Sequence, residues 1–436
     1  MYIGIDCGSS FLKFARLCEG GPEKETRIAT VRLPDADARR AEYALEPVVS
    51  AVRDYIDEAI DSGARVDGIL FSTQMHGCVL RGADGAPSPY ISWQDELVME
   101  ETAEGIPFET LRRLAAPYLA ASGMCLKPEM ALCSLYARAR RGERSLAGGE
   151  LYTLGSCLIA ALCGRNVTHE TNAAPTGLYD LRAHRWNEPL LEAIGFDGLR
   201  LPQVETGVRP CGTYRGVPIY PDVGDQQAAL LGAGLLPGQI SINLGTASQV
   251  SVLAPSWDGG RDGLCGEIRP FFGGTYLHTV SKLSGGRSMQ VIVEFLRRTV
   301  ELFTGTAPEV SAMWERIGRI EPADGAGVRA ATGFYETQMF PGASVAGLDA
   351  CNFTPENLLR AAFADLAAQF GRVIRQLDPD GRASQILLTG GRMSAQIAPY
   401  LRLDPACGRY PIVSSDTGDA VFRGLCRLTQ LKEEDV

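Results

Sequence analysis

Residues 2–13 read YIGIDCGSSFLK, and residues 241–252 read SINLGTASQVSV. With Asp6 laid on Asn243, the run Gly8-Ser9-Ser10 falls on Gly245-Thr246-Ala247. Each stretch is an apolar strand, a tight turn of small and hydroxyl residues, and a second strand. A turn of this kind leaves consecutive backbone N–H groups unscreened, and these cradle phosphate oxygens together with the hydroxyls. A chain that builds the hairpin twice, more than two hundred residues apart, can hold one phosphate chain from two flanks.

The surroundings of the two hairpins support a duplicated α/β design. In the first half, Tyr2–Ile5 and Leu12–Leu17 read as strands and Leu45–Ser62 as a helix with apolar residues at helical spacing. A short buried strand, Gly68–Ser72, runs into Gln74-Met75-His76-Gly77. Val79–Arg81 and Ser92–Trp93 flank a turn-rich piece, and Glu100–Ala120 and Pro128–Arg140 read as helices. The second half opens near Gly238 with the repeated hairpin. It crosses a glycine-rich stretch, Ser284–Arg287, and enters a helix from Ser288 to about Phe303. Asn357–Leu377 is a long amphipathic helix, Ile386–Leu388 a strand ending in Thr389-Gly390-Gly391, and Ala420–Leu428 a closing helix. Small residues recur at many turns, so the hairpin match alone is weak. The third glycine turn after a strand, at Gly390-Gly391, strengthens it. The repeat predicts two related domains, 1–238 and 239–436, facing each other across a cleft, with a hinge near Leu236-Pro237-Gly238.

Bulk properties narrow the function. A chain of 436 residues exceeds one ordinary core. Its net charge of −10 argues against nucleic-acid binding, which needs basic patches. An anionic ligand would need a local pocket of donors. The 12 cysteines form no CxxC pair and read as reduced thiols of a cytoplasmic protein. The four histidines, His76, His169, His184 and His278, have no zinc-site spacing. The N-terminus enters a strand without a basic or apolar leader, so no signal peptide is expected. The longest apolar run, Leu154 to Cys163, is far shorter than the roughly 20 residues of a membrane span, and Gly164 suits a helix C-cap. No membrane association is expected.

Asp6 in the first hairpin would repel a phosphate unless Mg²⁺ or water lay between them. Lys13 follows in the next strand. The alternative is a turn residue and a solvated strand residue. A second acidic candidate, Asp225, stands in Tyr220-Pro221-Asp222-Val223-Gly224-Asp225-Gln226-Gln227, where a strand ends and a helix begins. It could equally be a helix cap, and Asp222 competes with it. Neither a Walker loop nor a clean GxGxxG occurs.

Taken together, these stretches resemble the FGGY carbohydrate kinases, over nearly the whole chain. Asp6-Cys7-Gly8-Ser9-Ser10 with Lys13 looks like that family's first phosphate motif, and Gly245-Thr246 like its second. Gln74-Met75-His76-Gly77 is similar to a ketose-kinase substrate loop, and Trp93-Gln94-Asp95 to a second substrate-side motif. Asp225-Gln226 falls at the catalytic aspartate and its follower. Gly286 to Gln290 resembles the segment beside the nucleotide, and Gly390-Gly391 the adenosine motif. No single motif is specific; their order and spacing are. Within the family the likeness is to the sedoheptulokinase branch, through Trp93-Gln94-Asp95, Gly224-Asp225-Gln226-Gln227-Ala228 and the run from Phe272 to Gly286. Arg392 and Ala395 depart from the nucleotide-side pattern.

The resemblance implies two actin/hexokinase-like (ribonuclease H-like) α/β domains flanking a cleft, as a monomer or homodimer. It implies ATP-dependent phosphorylation of a ketose, sedoheptulose first, with Asp225 as general base and Asp6 and Asp225 at Mg²⁺. Gln74, Met75, His76, Trp93, Asp95 and Gln226 would meet the sugar. Gly8, Ser9, Ser10, Lys13, Gly245, Thr246, Gly286, Gln290, Gly390 and Gly391 would hold ATP. Blander readings stand beside these. His76 could be a core histidine, Trp93 plain packing, Asp95 a cap for Glu96–Thr102, and Gln290 surface. Asn172 and Thr176 read as structural turn residues. Rival functions are a xylulokinase or other pentulose kinase, a regulatory module that binds sugar and nucleotide without turnover, and an actin- or Hsp70-like ATPase.

Overall fold

The computed structural model describes residues 1–34, 39–82, 85–143, 146, 148–257, 266–335, 342–415 and 418–430, without the side chain of residue 392. The first hairpin pairs β1 (Tyr2–Cys7) with β2 (Phe11–Cys18), Asp6 opposite Lys13. β2 then pairs antiparallel with β3 (Gly21–Ala29). On its other side β1 runs parallel to β4 (Gly68–Thr73). Beyond β4 lie β5 (Gly212–Tyr214) and β6 (Val217–Ile219), giving the order β5-β6-β4-β1-β2-β3, and β7 (Val223–Gly224) also pairs with β4.

The second sheet repeats this plan. β8 (Gln239–Leu244) pairs antiparallel with β9 (Ser248–Ala254), Asn243 opposite Gln249. β10 (Glu267–Pro270) and β11 (Tyr276–Leu283) extend it on one side, β12 (Gln385–Thr389) and β13 (Ile412–Ser414) on the other, in the order β10-β11-β9-β8-β12-β13. β8 stands where β1 stands, β9 where β2 stands and β12 where β4 stands, with the same parallel and antiparallel senses. The substrate-like loop Gln74–Gly77 and the turn Gly390-Gly391 therefore leave equivalent strand ends. The largely apolar inner strands fit burial on both faces; Ile3, Ile5, Ile240 and Ile242 are fully buried.

Each sheet has its own core. Helix α1 (Leu45–Asp61) packs on the first sheet with Val52 and Ile56 inward. Helix α2 (Leu154–Cys163) joins it and ends at Gly164 with φ 77°, the left-handed C-cap its sequence predicts. The second sheet is covered by α4 (Gly286–Thr304) and α5 (Pro355–Leu377). A further apolar cluster joins the two halves. In it α3 (Asp225–Ala233) crosses α7 (Ala420–Leu428), with Phe422, Leu425, Leu230, Phe271 and Phe272 buried together. The crossing is tight because it is built on glycines. A Cβ on Gly424 would meet Ala228 O at 1.9 Å, and one on Gly232 would meet Ala420 O at 1.8 Å.

Two helix boundaries differ from the sequence reading. Of the helix expected over Glu100–Ala120 only the part from Pro107 forms, as Pro107–Ser122, and a short 3-10 turn, Leu97–Met99, precedes the expected start. Gly105 at φ 95° breaks the run, and Pro107 starts the new helix where its missing N–H costs nothing. The helix expected over Pro128–Arg140 begins at Ala131. The turn-rich piece is flanked by a short strand, Tyr90–Ile91, just before Ser92–Trp93.

Candidate active site

Asp6 sits at the end of β1, buried, with Oδ1 accepting from Ser72 Oγ at 3.2 Å. Its Oδ2 lies 3.1 Å from Lys13 Nζ. Lys13 also reaches Asp419 Oδ2 at 2.9 Å, and Asp419 caps α7. Burial pushes the Asp6 carboxyl up, against the pull of Lys13. Burial works to lower Lys13, but Asp6 and Asp419 outweigh it and hold the amine above its ordinary value. Asp419 escaped the sequence reading, being 406 positions from its partner.

Asp225 is the first residue of α3, just after the cap Gly224. The cap reading fails because Gly224 holds the cap position and Asp225 Oδ1 accepts from the adjacent Gln226 N, at 2.8 Å, not from a residue further along the helix. Burial and the nearby Asp6 charge push its carboxyl up to about 7; Gln226 N and Arg269 pull the other way. A buried carboxylate raised by the charge of a second one suits a cation placed near both. Among the described residues no group of three or more His, Cys, Asp or Glu could hold a metal. A site of one or two carboxylates, completed by water and phosphate, fits Mg²⁺. Asp222, the competitor, is sealed off. It is fully buried, with Oδ2 taken by Asn172 Nδ2 at 2.7 Å, Thr153 at 3.2 Å and Thr73 at 3.3 Å. Asn172, together with Thr171, whose Oγ1 accepts from Gly224 N at 3.0 Å, fixes the strand that presents Asp225.

The loop after β4 lies against this centre. Gln74 N donates to Cys7 O at 3.0 Å, and Gln74 Oε1 accepts from Ser92 Oγ at 3.4 Å. Met75 covers Gly224 so closely that a Cβ there would meet its Sδ at 2.7 Å. His76 holds φ 71°, a left-handed conformation uncommon for residues other than glycine. Its Nδ1 is 3.0 Å from Pro175 O. A carbonyl only accepts, so Nδ1 carries the hydrogen and Nε2 is an acceptor. Burial, helped by Arg269, pushes the imidazole down to about 4, so it is neutral at pH 7. Gly77 is obligatory, because a Cβ would meet Tyr90 Oη at 2.2 Å and Ile91 O at 2.5 Å.

Trp93 and Asp95 are placed differently. Trp93 is 39% exposed. Asp95 is fully buried and belongs to an ion pair: Arg138 meets it with Nη1 at 3.0 Å and Nη2 at 2.9 Å, and Ser134 Oγ donates at 3.0 Å. These contacts make Asp95 part of an internal ion pair, and the short turn Leu97–Met99 is capped at Glu96 rather than at Asp95, which corrects the helix-cap reading. Gln226 does not reach out alone either. Its Oε1 accepts from Arg269 Nη1, and its Nε2 donates to Gln249 Oε1 at 2.7 Å.

On the other flank three glycine segments converge. Gly286 N donates to Gly245 O at 3.0 Å, and Arg287 N to Thr246 O at 3.0 Å. Gly285 admits no Cβ, since Ser248 Oγ would lie at 2.6 Å. Gly390, at φ 111°, packs on β8, where a Cβ would meet Leu244 O at 2.2 Å. Gly245, Thr246 and Gly391 are exposed, as is Ser10 opposite, while Gly8, Ser9 and Gln290 are half-buried. Ala395 is exposed on α6 (Gly391–Leu403); Arg392, whose side chain lies outside the described residues, follows the adenosine-like turn.

Sequence reasoning missed a charged cluster beside His76. Buried Glu267 pairs with Arg269 at 2.6 Å and with Lys127 at 2.8 Å, and Glu129 pairs with Lys282 at 2.8 Å. Burial would raise the Glu267 carboxyl, but Lys127 and Arg269 hold it far below the usual range. These contacts tie β10 and β11 to the first half. Ile268 N donates to Gly123 O at 2.8 Å, and Gln227 Nε2 to Pro270 O at 3.1 Å.

Residues 1–232 match the model of the FGGY family of carbohydrate kinases, N-terminal domain. The chain belongs to this family. It is 26% identical over 272 residues to the xylulose kinase of Lactococcus lactis, covering 58% of this chain and 53% of that protein. The chain thus spans about half the length of that curated relative, and less of several others. Among solved structures, a xylulose kinase from Brucella ovis superposes with a TM-score of 0.81 at 19% identity, covering 99% of this chain and 91% of that one. Plasmodium falciparum glycerol kinase with ADP gives 0.78 at 15% identity, with 98% and 89% covered. These likenesses establish the two-domain actin/hexokinase-like fold. No helix among the described residues is long and apolar enough to cross a membrane.

Proposed function

We propose that this FGGY-family protein is a cytoplasmic ATP-dependent ketose kinase, with Asp225 as the base that takes the proton of the attacking hydroxyl. One observation carries the reading: Asp225 is held beside Asp6 and the His76 loop, while the rival Asp222 is sealed away. A carboxylate pushed up to about 7 is matched to proton transfer near neutral pH.

The chain's own groups have distinct tasks. His76 Nε2 accepts a hydrogen bond from a sugar hydroxyl. Lys13 and the amides of Gly8, Ser9 and Ser10 meet phosphate on one side; Gly245 and Thr246 meet it on the other. Asp6 and Asp225 would hold Mg²⁺, which neutralises phosphate charge when bound. Positioning and charge neutralisation carry most of the rate. Both aspartates of the machinery are present, which favours a kinase over a regulatory module. The His76 loop favours a sugar kinase over an ATPase without an acceptor.

Sedoheptulose heads the acceptors because of the motif pattern around Trp93, Gly224 and Phe272; xylulose is the second reading, supported by the Lactococcus relative. Measuring ADP release with Mg-ATP over sedoheptulose, D-xylulose, D-ribulose, L-ribulose, D-fructose and glycerol ranks them. A highest kcat/KM for sedoheptulose supports the first reading, and one for xylulose replaces it with the second.

A further inference from the structure

The residue after the base is fixed from the far side of the cleft. Arg269 is 3% exposed and is locked on Glu267 by Nε at 3.1 Å and Nη2 at 2.6 Å. Its remaining Nη1 points at the carboxamide of Gln226. A guanidinium can only donate, so the atom it faces must be Oε1. That choice turns Gln226 Nε2 toward Gln249, and the atom it meets at 2.7 Å must then be Oε1. Gln249 Nε2 is left as a donor with no partner among the described residues. The polarity of two amides is thus set by one buried ion pair.

Gln249 occupies a telling place. It is opposite Asn243 in the second hairpin, as Lys13 is opposite Asp6 in the first. Val250 faces the core of the second half, so Gln249, beside it on the strand, faces the other way, toward Gln226 and the cleft. The two hairpins therefore present side-chain donors at equivalent positions, an ammonium on one flank and a carboxamide on the other.

We propose that Gln249 Nε2 donates to the phosphoryl group in transfer, and that Arg269 is a positioning residue that aims it through Gln226. The proposal rests on the kinase reading above and deepens it. A neutral donor whose geometry is fixed before the reaction stabilises developing charge without reorganising. The interaction should strengthen in the transition state and so appear in kcat rather than in KM.

The test is a mutant cycle on the full chain with Mg-ATP and the best acceptor. Gln249→Met should lower kcat about 10- to 100-fold with the sugar KM within about threefold. Gln226→Met, which cuts the chain while leaving the ion pair whole, should lower kcat similarly, and the double variant Gln226→Met/Gln249→Met should be no worse than Gln249→Met alone. Arg269→Met, which also removes a charge acting on Asp225 and His76, should lower kcat at least as far, and Arg269→Lys should recover most of it. Additive losses, or a Gln249→Met variant that changes only KM, would overturn the proposal. If Arg269→Met does not fold, the Gln226→Met/Gln249→Met cycle alone decides, and its non-additivity is required. Should wild type turn over none of the sugars, the kinase reading fails separately. Binding of ADP with aluminium fluoride then decides: affinity lost about tenfold or more in Gln249→Met sustains the donor role, and unchanged affinity removes it.

Discussion

Lys13 Nζ lies 3.1 Å from Asp6 Oδ2, its partner across the ladder of the first hairpin. At the matching positions of the second hairpin the chain places two neutral amides, Asn243 and Gln249. The duplicated frame therefore carries its fixed charge on one flank, where Lys13 also holds Asp419 at 2.9 Å. Lys13→Met would leave two carboxylates facing each other. Breaking a fully buried pair costs about 3–5 kcal/mol; Lys13 is 32% exposed, so a loss nearer about 2 kcal/mol is expected. Thermal unfolding reads that loss, and an ATP titration should show a raised KM.

The Asp225 carboxyl is raised from 3.8 to about 7, so between those values the folded protein holds a proton the unfolded chain releases. Stability therefore falls as pH rises through this window, and the full cost is present above about 7. Asp225→Asn should stabilise the protein at pH 8 by about 2–4 kcal/mol and lower activity about 10²- to 10⁴-fold. At pH 4 the stabilisation should vanish. In wild type, kcat/KM should fall as pH drops through about 7, and the acid limb of kcat should sit lower because bound Mg²⁺ favours the charged carboxylate. A stability curve against pH, with a pH–rate profile, checks both.

Asp95 separates a structural from a substrate role. It shares the Arg138 guanidinium with Glu42, which lies 2.7 Å away. Asp95→Asn should cost about 3–5 kcal/mol of stability by leaving Arg138 partly unpaired in the interior. Protein still folded at low temperature should keep its sugar KM. A KM raised tenfold or more, with unchanged melting temperature, would return Asp95 to the sugar pocket.

His76 sits at φ 71°, where asparagine is tolerated and β-branched residues are not. His76→Asn should keep the melting temperature within a few degrees and raise the sugar KM about 10- to 100-fold. His76→Val should lose stability as well, by about 1–3 kcal/mol. Calorimetry beside initial-rate kinetics distinguishes the pair.

The α3–α7 crossing depends on two missing side chains. Gly424→Ala drives a methyl into Ala228 O and should destabilise the fold by about 1–3 kcal/mol or more through overpacking. Because α3 begins with Asp225, activity should fall further than stability alone explains. Rates measured well below the melting temperature check this.

Local signals carried the legible part of the structure. The two hairpins, the Gly164 cap and the start of α3 at Asp225 each follow from a few adjacent residues, and so did the Gln74–Gly77 loop. The sequence misled where a short break hid inside a helical pattern, as at Gly105-Ile106-Pro107. What it could not display were partnerships across the chain. Lys13 with Asp419, Arg269 with Gln226 and Asp95 with Arg138 join residues brought together only by the fold. Asp222 and Asp225 looked interchangeable because their difference is burial, which Gly155 permits: a Cβ there would lie 2.1 Å from Asp222 Cβ.

The central claim is Asp225-dependent transfer of phosphate from ATP to a sugar hydroxyl. Its most direct measurement is steady-state ADP release with Mg-ATP, with and without the best ketose, for wild type and Asp225→Asn side by side. Release that requires the sugar and falls about 10²- to 10⁴-fold in the variant is the predicted result. Equal release with and without sugar, or a variant as fast as wild type, would contradict it.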